Sequence, residues 1–197
     1  MKKLLLILLM APMFCFSQEY SEVVEVSGKT ADQLYASARE WFALTFKSAN
    51  DVLRMDDSAS GKLIGKGSTQ VTEKYSTEGI VKVPMKIDWY PSFTINIAFK
   101  DGKYKCELSD IKITSAINDQ LTDKDGDFST YKDQEEYFKN GSDPEWLKDN
   151  TNGPKAAIKI TAKTNEAYYN LIIKTESQLT NLLASLKQHM NKNEDDW

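Results

Sequence analysis

Asp101-Gly102, flanked on both sides by alternating runs, constrains this chain more than any other stretch. Before it, Phe93, Ile95, Ile97 and Phe99 alternate with Thr94, Asn96 and Ala98. After it, Tyr104, Cys106 and Leu108 alternate with charged residues. A period of two with an Asp-Gly between is the strongest short-range signal for a β-hairpin with one buried face. In the return strand the apolar phase then slips, because Ile111 and Ile113 continue it out of step. One extra residue at Ser109-Asp110, a β-bulge, restores that phase.

Around this hairpin the chain reads as strand, helix, strands and a long final helix. Glu22 to Val26 is a short strand, and Gly28-Lys29 turns it into Thr30-Ala31-Asp32-Gln33, a capping box. The helix that follows places Leu34, Ala38, Trp41, Phe42 and Thr45 on one stripe. Asp51 to Met55 and Lys62 to Thr72 are further strands; the second carries Leu63, Gly65, Gly67, Thr69 and Val71 on one face. Two glycines on one strand face predict that something packs closely over them, or that the sheet bends there. No Gly-Lys-Ser/Thr end follows, so they are not a phosphate loop. Ile80 to Ile87 alternates with Val81, Val83, Met85 and Ile87 inward, Trp89 continues that face, and Pro91 ends the run. From Ser115 to Asn152 the pattern fails, apart from short helical stretches at Gln134–Phe138 and Pro144–Leu147. The aromatic residues of that insertion, Phe128, Tyr131, Tyr137, Phe138 and Trp146, are expected to pack down on the body. The final helix begins between Pro154 and Asn165, carries Tyr168, Ile172, Leu179, Leu182, Leu183 and Leu186 on its apolar stripe, and ends near Met190.

The first residues are an address. Lys2-Lys3, the apolar run Leu4 to Met10, and Cys15 and Ser17 at the third and first positions before Gln18 make a secretory signal peptide over residues 1–17. That run is too short for a membrane span of about 20 residues. Pro12, Met13 and Phe14 do not suit lipid attachment at Cys15, so no lipid anchor is expected. The expectation is an exported protein of a Gram-negative bacterium, periplasmic or secreted, with one domain over residues 18–190. The insertion lies at about 115–152 and a polar tail covers 191–197. Of the 197 residues 41% are hydrophobic, enough for a real core, and 25 basic face 29 acidic residues. Removal of Lys2 and Lys3 makes the mature chain more acidic still. Such a chain has no basic field for a phosphate backbone, and nucleic acid is set aside as a partner.

The search for chemistry finds little. His189 is the sole histidine and lies in the last turn of the final helix, where a cation suits the helix dipole. Without a second His or a Cys partner it makes neither a zinc site nor a triad. Cys106 on its alternating strand reads as a small core hydrophobe. In Asp123-Lys124-Asp125-Gly126-Asp127, an EF-hand register would put Leu121 and Lys132 where carboxylates belong. That leaves Asp123, Asp125 and Asp127 as a weak calcium candidate in a solvated acidic loop. Trp41, Phe42, Trp89, Tyr90, Tyr168 and Tyr169 either fill the core or line an apolar pocket between sheet and final helix. No catalytic residue, metal or cofactor is assigned.

Three segments carry a resemblance: Leu34-Tyr35 through Glu40-Trp41-Phe42, Phe46-Lys47-Ser48-Ala49, and Ser60-Gly61-Lys62-Leu63-Ile64-Gly65-Lys66-Gly67. Together they resemble a bacterial exported family known only as a domain of unknown function, number forty-four sixty-eight, over Glu22 to Ile113 with the final helix included. The resemblance implies an α+β fold of the TATA-binding-protein-like (TBP-like) or helix-grip class. Its order is β-α-β4-α, with an antiparallel sheet packed against a long C-terminal helix. It implies no activity and no functional residues. Three readings follow: a non-enzymatic interaction module contacting an envelope protein, a carrier or sensor of an apolar or amphipathic small molecule, and a hydrolase using carboxylates of the insertion.

Overall fold

The turn at Asp101-Gly102 joins the two longest strands, and the rest of the sheet is laid against them. The computed structural model describes residues 20–46, 49–77, 82–121, 126–140 and 155–192, the first seven of the last stretch by backbone alone. The expected export signal over residues 1–17, Cys15 within it, Asp123, Asp125, Trp146 and residues 193–197 lie outside the described residues. In chain order come β1 (Ser21–Glu25), α1 (Ala31–Thr45), α2 (Ala49–Val52), β2 (Leu53–Asp57), β3 (Lys62–Ser68) and β4 (Val71–Ser76). Then follow β5 (Pro84–Lys100), β6 (Lys103–Ile117), β7 (Gln120–Leu121), β8 (Gly126–Asp127), α3 (Phe128–Lys132), α4 (Glu135–Asn140) and α5 (Lys155–Met190). The eight strands form one antiparallel sheet of order β1-β6-β5-β3-β2, with β4 continuing beside β5 and with β7 and β8 on β6. Among the described residues no helix is long and apolar enough to cross a membrane.

Local sequence accounts for most of this. Gly102 turns the hairpin at φ +76°, and Lys100 pairs with Lys103 across it. The bulge falls where the phase slips. Ser92 pairs with Lys112 and Thr94 with Ser109, so two residues of β6 oppose Phe93, and Asp110 takes φ +51°. Tyr104, Cys106, Leu108 and Ile113 are buried as a result. The capping box of α1 is complete: Thr30 Oγ1 accepts from Gln33 N–H, and Gln33 Oε1 accepts from Thr30 N–H. Leu34, Ala38, Trp41 and Phe42 of α1 are buried, whereas Thr45 faces solvent.

Several readings of the strands need correction. Pro91 does not end a strand, since β5 runs through it for 17 residues. Its carbonyl accepts from Thr69 N–H at 3.0 Å, so its hydrogen-free nitrogen faces the gap between β3 and β4, where the ladder is already interrupted. For the same reason Lys62–Thr72 is two strands, not one, with Thr69-Gln70 as the break. Finally, Leu53–Asp57 pairs where Asp51–Met55 was expected, and Ala49–Val52 makes a helical turn before it. Val83 precedes β5 and is exposed instead of facing in. Among the described residues seven strands thus follow α1, not four.

The helices pack on one face of the sheet. An ideal Cβ on Gly65 would stand 2.5 Å from Phe42 Cε1, and one on Gly67 2.6 Å from Phe93 Cε2. The glycines therefore let the rings of α1 and β5 lie directly on β3, as their spacing predicts. The helix α5 buries Ala167, Leu171, Ile172, Thr175, Leu179, Leu186 and Met190, while Tyr168, Leu182 and Leu183 are half-buried. Its C-terminal end is held by Lys29 Nζ, which donates to Met190 O at 2.9 Å and Lys192 O at 2.7 Å. In the insertion Phe128 is fully buried and Tyr131 and Phe138 pack on the core, while Tyr137 stays exposed.

Candidate functional site

The six aromatic residues singled out in the sequence fall into two separate groups. Trp41 stands edge-on to Phe42 at 5.1 Å and to Phe46 at 5.8 Å, and its Nε1 donates to Ser185 Oγ at 3.1 Å. Trp89 is fully buried, with Tyr131 at 4.7 Å and Tyr168 at 6.1 Å, and Phe138 stacks on Tyr168 at 5.3 Å. On α5, Ser185 lies almost five turns beyond Tyr168, about 25 Å along the axis. The two groups therefore do not line one cavity. Between sheet and helix, each group fills its own space with rings in mutual contact, and burial raises the Tyr168 and Tyr131 hydroxyls above their ordinary range. Tyr90 neighbours Trp89 in β5 and so projects to the other face of the sheet, half-buried; Tyr169 is half-buried on α5.

Other singled-out residues have ordinary surroundings. Cys106 is buried, and burial pushes its thiol up to about 12. His189 Nε2 lies 3.6 Å from Glu40 Oε2 of α1. Asp127 accepts from Ser129 Oγ at 3.2 Å at the start of α3. Among the described residues no group of three His, Cys, Asp or Glu side chains could hold a metal ion.

Two polar clusters escaped the sequence reading. Asp88, on the face of β5 opposite Trp89, is fully buried. It accepts from Thr72 Oγ1 at 2.5 Å and Gln70 Nε2 at 3.2 Å, and Lys86 Nζ stands 2.8 Å from its second oxygen. Burial alone would raise its pKa, but the bonds from Lys86, Thr72 and Gln70 outweigh that and hold it below the usual carboxylate range. Lys86 also reaches Asp119 at 2.5 Å, and the bonds to Asp119 and Asp88 raise the lysine. The i, i+2 spacing of Lys86 and Asp88 was visible in the sequence, but Thr72 joins them only through strand register. In the second cluster Asp56 accepts from Tyr35 Oη and from Arg39 Nε, the latter at 2.8 Å. Those bonds, Tyr35 first, lower Asp56; burial and then the same bond push Tyr35 up to about 12.

Two clefts flank the C-terminal half of β4. One, of about 410 Å³, lies between β4 and α5 and includes Tyr75, Lys82, Glu166 and Asn170. The other, of about 460 Å³, includes Lys74, Ser76, Met85, Lys86 and Asn118. Both open beside a sheet edge.

Residues 20–114 match the family described as "Domain of unknown function (DUF4468) with TBP-like fold". The matched region runs from the entry into β1 to Thr114 in β6, so it carries the hairpin, the bulge and both close-packed glycines. Among solved structures, a DUF4468 family protein from Bacteroides ovatus is 15% identical, with 90% of this chain and 88% of that one covered and a TM-score of 0.47. A TBP-like protein from Parabacteroides distasonis is also 15% identical, with 85% and 91% covered and a TM-score of 0.41. No curated protein matches.

Proposed function

We propose that this chain is a non-enzymatic interaction module of the bacterial cell envelope, exported by its first 17 residues. The supporting observation is the sheet face turned away from the helices. Across it, Val23, Lys105, Ala98, Lys62 and Asp57 stand in one row. Ser21, Glu107, Asn96, Ile64 and Met55 stand in the next. Val23 is 58% exposed, and Lys62, Lys66, Ala98 and Lys105 are exposed with it. A broad face mixing methyl groups with lysines suits a protein surface better than a small ligand.

A carrier of an apolar molecule is second, because its ligand would have to enter where Trp89, Tyr131, Tyr168 and Phe138 pack on one another. A hydrolase is third. Of the insertion's carboxylates, Asp119 is tied to Lys86 and Asp127 to Ser129. The test is photocrosslinking in the native host, with the crosslinker at Ala98 on the open face and, as control, at Thr180 on the solvent side of α5. A discrete protein adduct from Ala98 and none from Thr180 is expected. No adduct from either position would refute the reading.

A further inference from the structure

Among the described residues strand β4 pairs only with β5, so its other side is a sheet edge. Thr69 N–H donates to Pro91 O and Thr77 N–H to Val83 O, so the odd-numbered residues between them direct their main-chain groups to β5. Those of Gln70, Thr72, Lys74 and Ser76 point outward. Helix α5 occupies half of this edge: Gln178 Nε2 donates to Gln70 O at 3.2 Å and Lys174 Nζ to Thr72 O at 3.1 Å. Beyond Thr72 the helix turns to side chains instead, with Asn170 on Glu73 and Thr164 on Tyr75. The outward main-chain groups of Lys74 and Ser76 have no strand or helix partner among the described residues.

Here the two clefts lie, one on each face of the sheet. An added strand needs this arrangement: open main-chain groups for its backbone, and space above and below for alternate side chains. The charges are asymmetric. Glu73 is tied to Lys174, Glu166 to Lys163, and Lys86 to Asp88 and Asp119, whereas Lys74 and Lys82 have no ion-pair partner among the described residues. A second copy would bring its own Lys74 to the same edge, and mid-edge lysines oppose such pairing.

We infer that the outer edge of β4 at Lys74–Ser76 receives an extended segment of a partner polypeptide carrying acidic side chains, which Lys74 and Lys82 recognise. This rests on the interaction-module reading and names its partner class. The test uses the mature chain, residues 18–197, and fluorescence anisotropy of a labelled seven-residue peptide alternating valine and glutamate. Saturable binding is expected, with the lysine-for-glutamate peptide not bound. Ser76→Pro removes an outward N–H and no bond to β5, and should weaken binding about tenfold. A peptide methylated on alternate backbone nitrogens should lose binding to the unaltered protein, whatever Ser76→Pro does to folding. Lys74→Glu with Lys82→Glu should abolish binding. No saturation up to about 1 mM, equal binding of the methylated peptide, or a self-associated dimer through this edge would overturn the inference. If the peptide fails while the Ala98 adduct forms, this edge alone is refuted and the interaction module stands.

Discussion

Replacing Gly65 with alanine tests how closely α1 is seated on the sheet, because two opposed effects decide its sign. Gly65 has no positive φ, so the backbone accepts alanine, and in a strand that exchange would otherwise stabilise by about 0.5–1 kcal/mol. The added methyl, however, would stand 2.5 Å from Phe42 Cε1, 3.0 Å from Phe42 Cζ and 3.3 Å from Val52 Cγ1. Phe42 is fully buried and held by the rings of Trp41 and Phe46, so it has little room to yield. Overpacking of this kind costs about 1–3 kcal/mol, which outweighs the backbone gain. Thermal unfolding of the mature protein should therefore fall by roughly 2–10 °C in Gly65→Ala. In a double-mutant cycle, Phe42→Leu should recover part of that loss, with a coupling of about 1 kcal/mol or more between the two sites. A Gly65→Ala protein as stable as the parent, or strict additivity with Phe42→Leu, would refute the close packing of α1 on β3.

Three further expectations concern stability and reactivity. Because the Asp88 pKa is lowered on folding, its stabilisation is complete above the ordinary carboxyl value of 3.8 and is lost as pH falls below it. Urea midpoints of parent and Asp88→Asn should thus differ at pH 7 and draw closer as pH falls below 3.8, and a gap that does not change with pH would contradict this. Thr30→Ala should cost about 1 kcal/mol by removing the cap of α1, whereas Thr30→Ser should cost little, both read from denaturant unfolding. With its thiol buried and pushed up to about 12, Cys106 should stay unlabelled by a thiol reagent at pH 8 until the protein unfolds. Rapid labelling of the native protein would show that β6 is more open than described.

What the sequence made legible was local. The hairpin at Asp101-Gly102, the bulge at Ser109-Asp110, the capping box at Thr30 and the crowding over Gly65 and Gly67 each follow from a few neighbouring residues. Pro91 was misread because its tolerance depends on a break in the adjacent strand, at Thr69, that only register reveals. Asp88 was missed for a similar reason, since of its three partners only Lys86 is near in sequence, while Gln70 and Thr72 reach it from the start of the neighbouring strand. The grouping of the aromatic residues depended on where α1 crosses α5, at Trp41 and Ser185, 144 residues apart. No periodicity in either helix specifies that crossing, so Trp41 and Trp89 looked able to share a cavity when they do not.

The most direct test of the interaction-module account is native mass spectrometry of the mature protein purified gently from its own host. The account predicts the mass of residues 18–197, free or with a polypeptide partner, and no small molecule. A bound small-molecule mass that disappears on denaturation would contradict it and make the carrier reading primary.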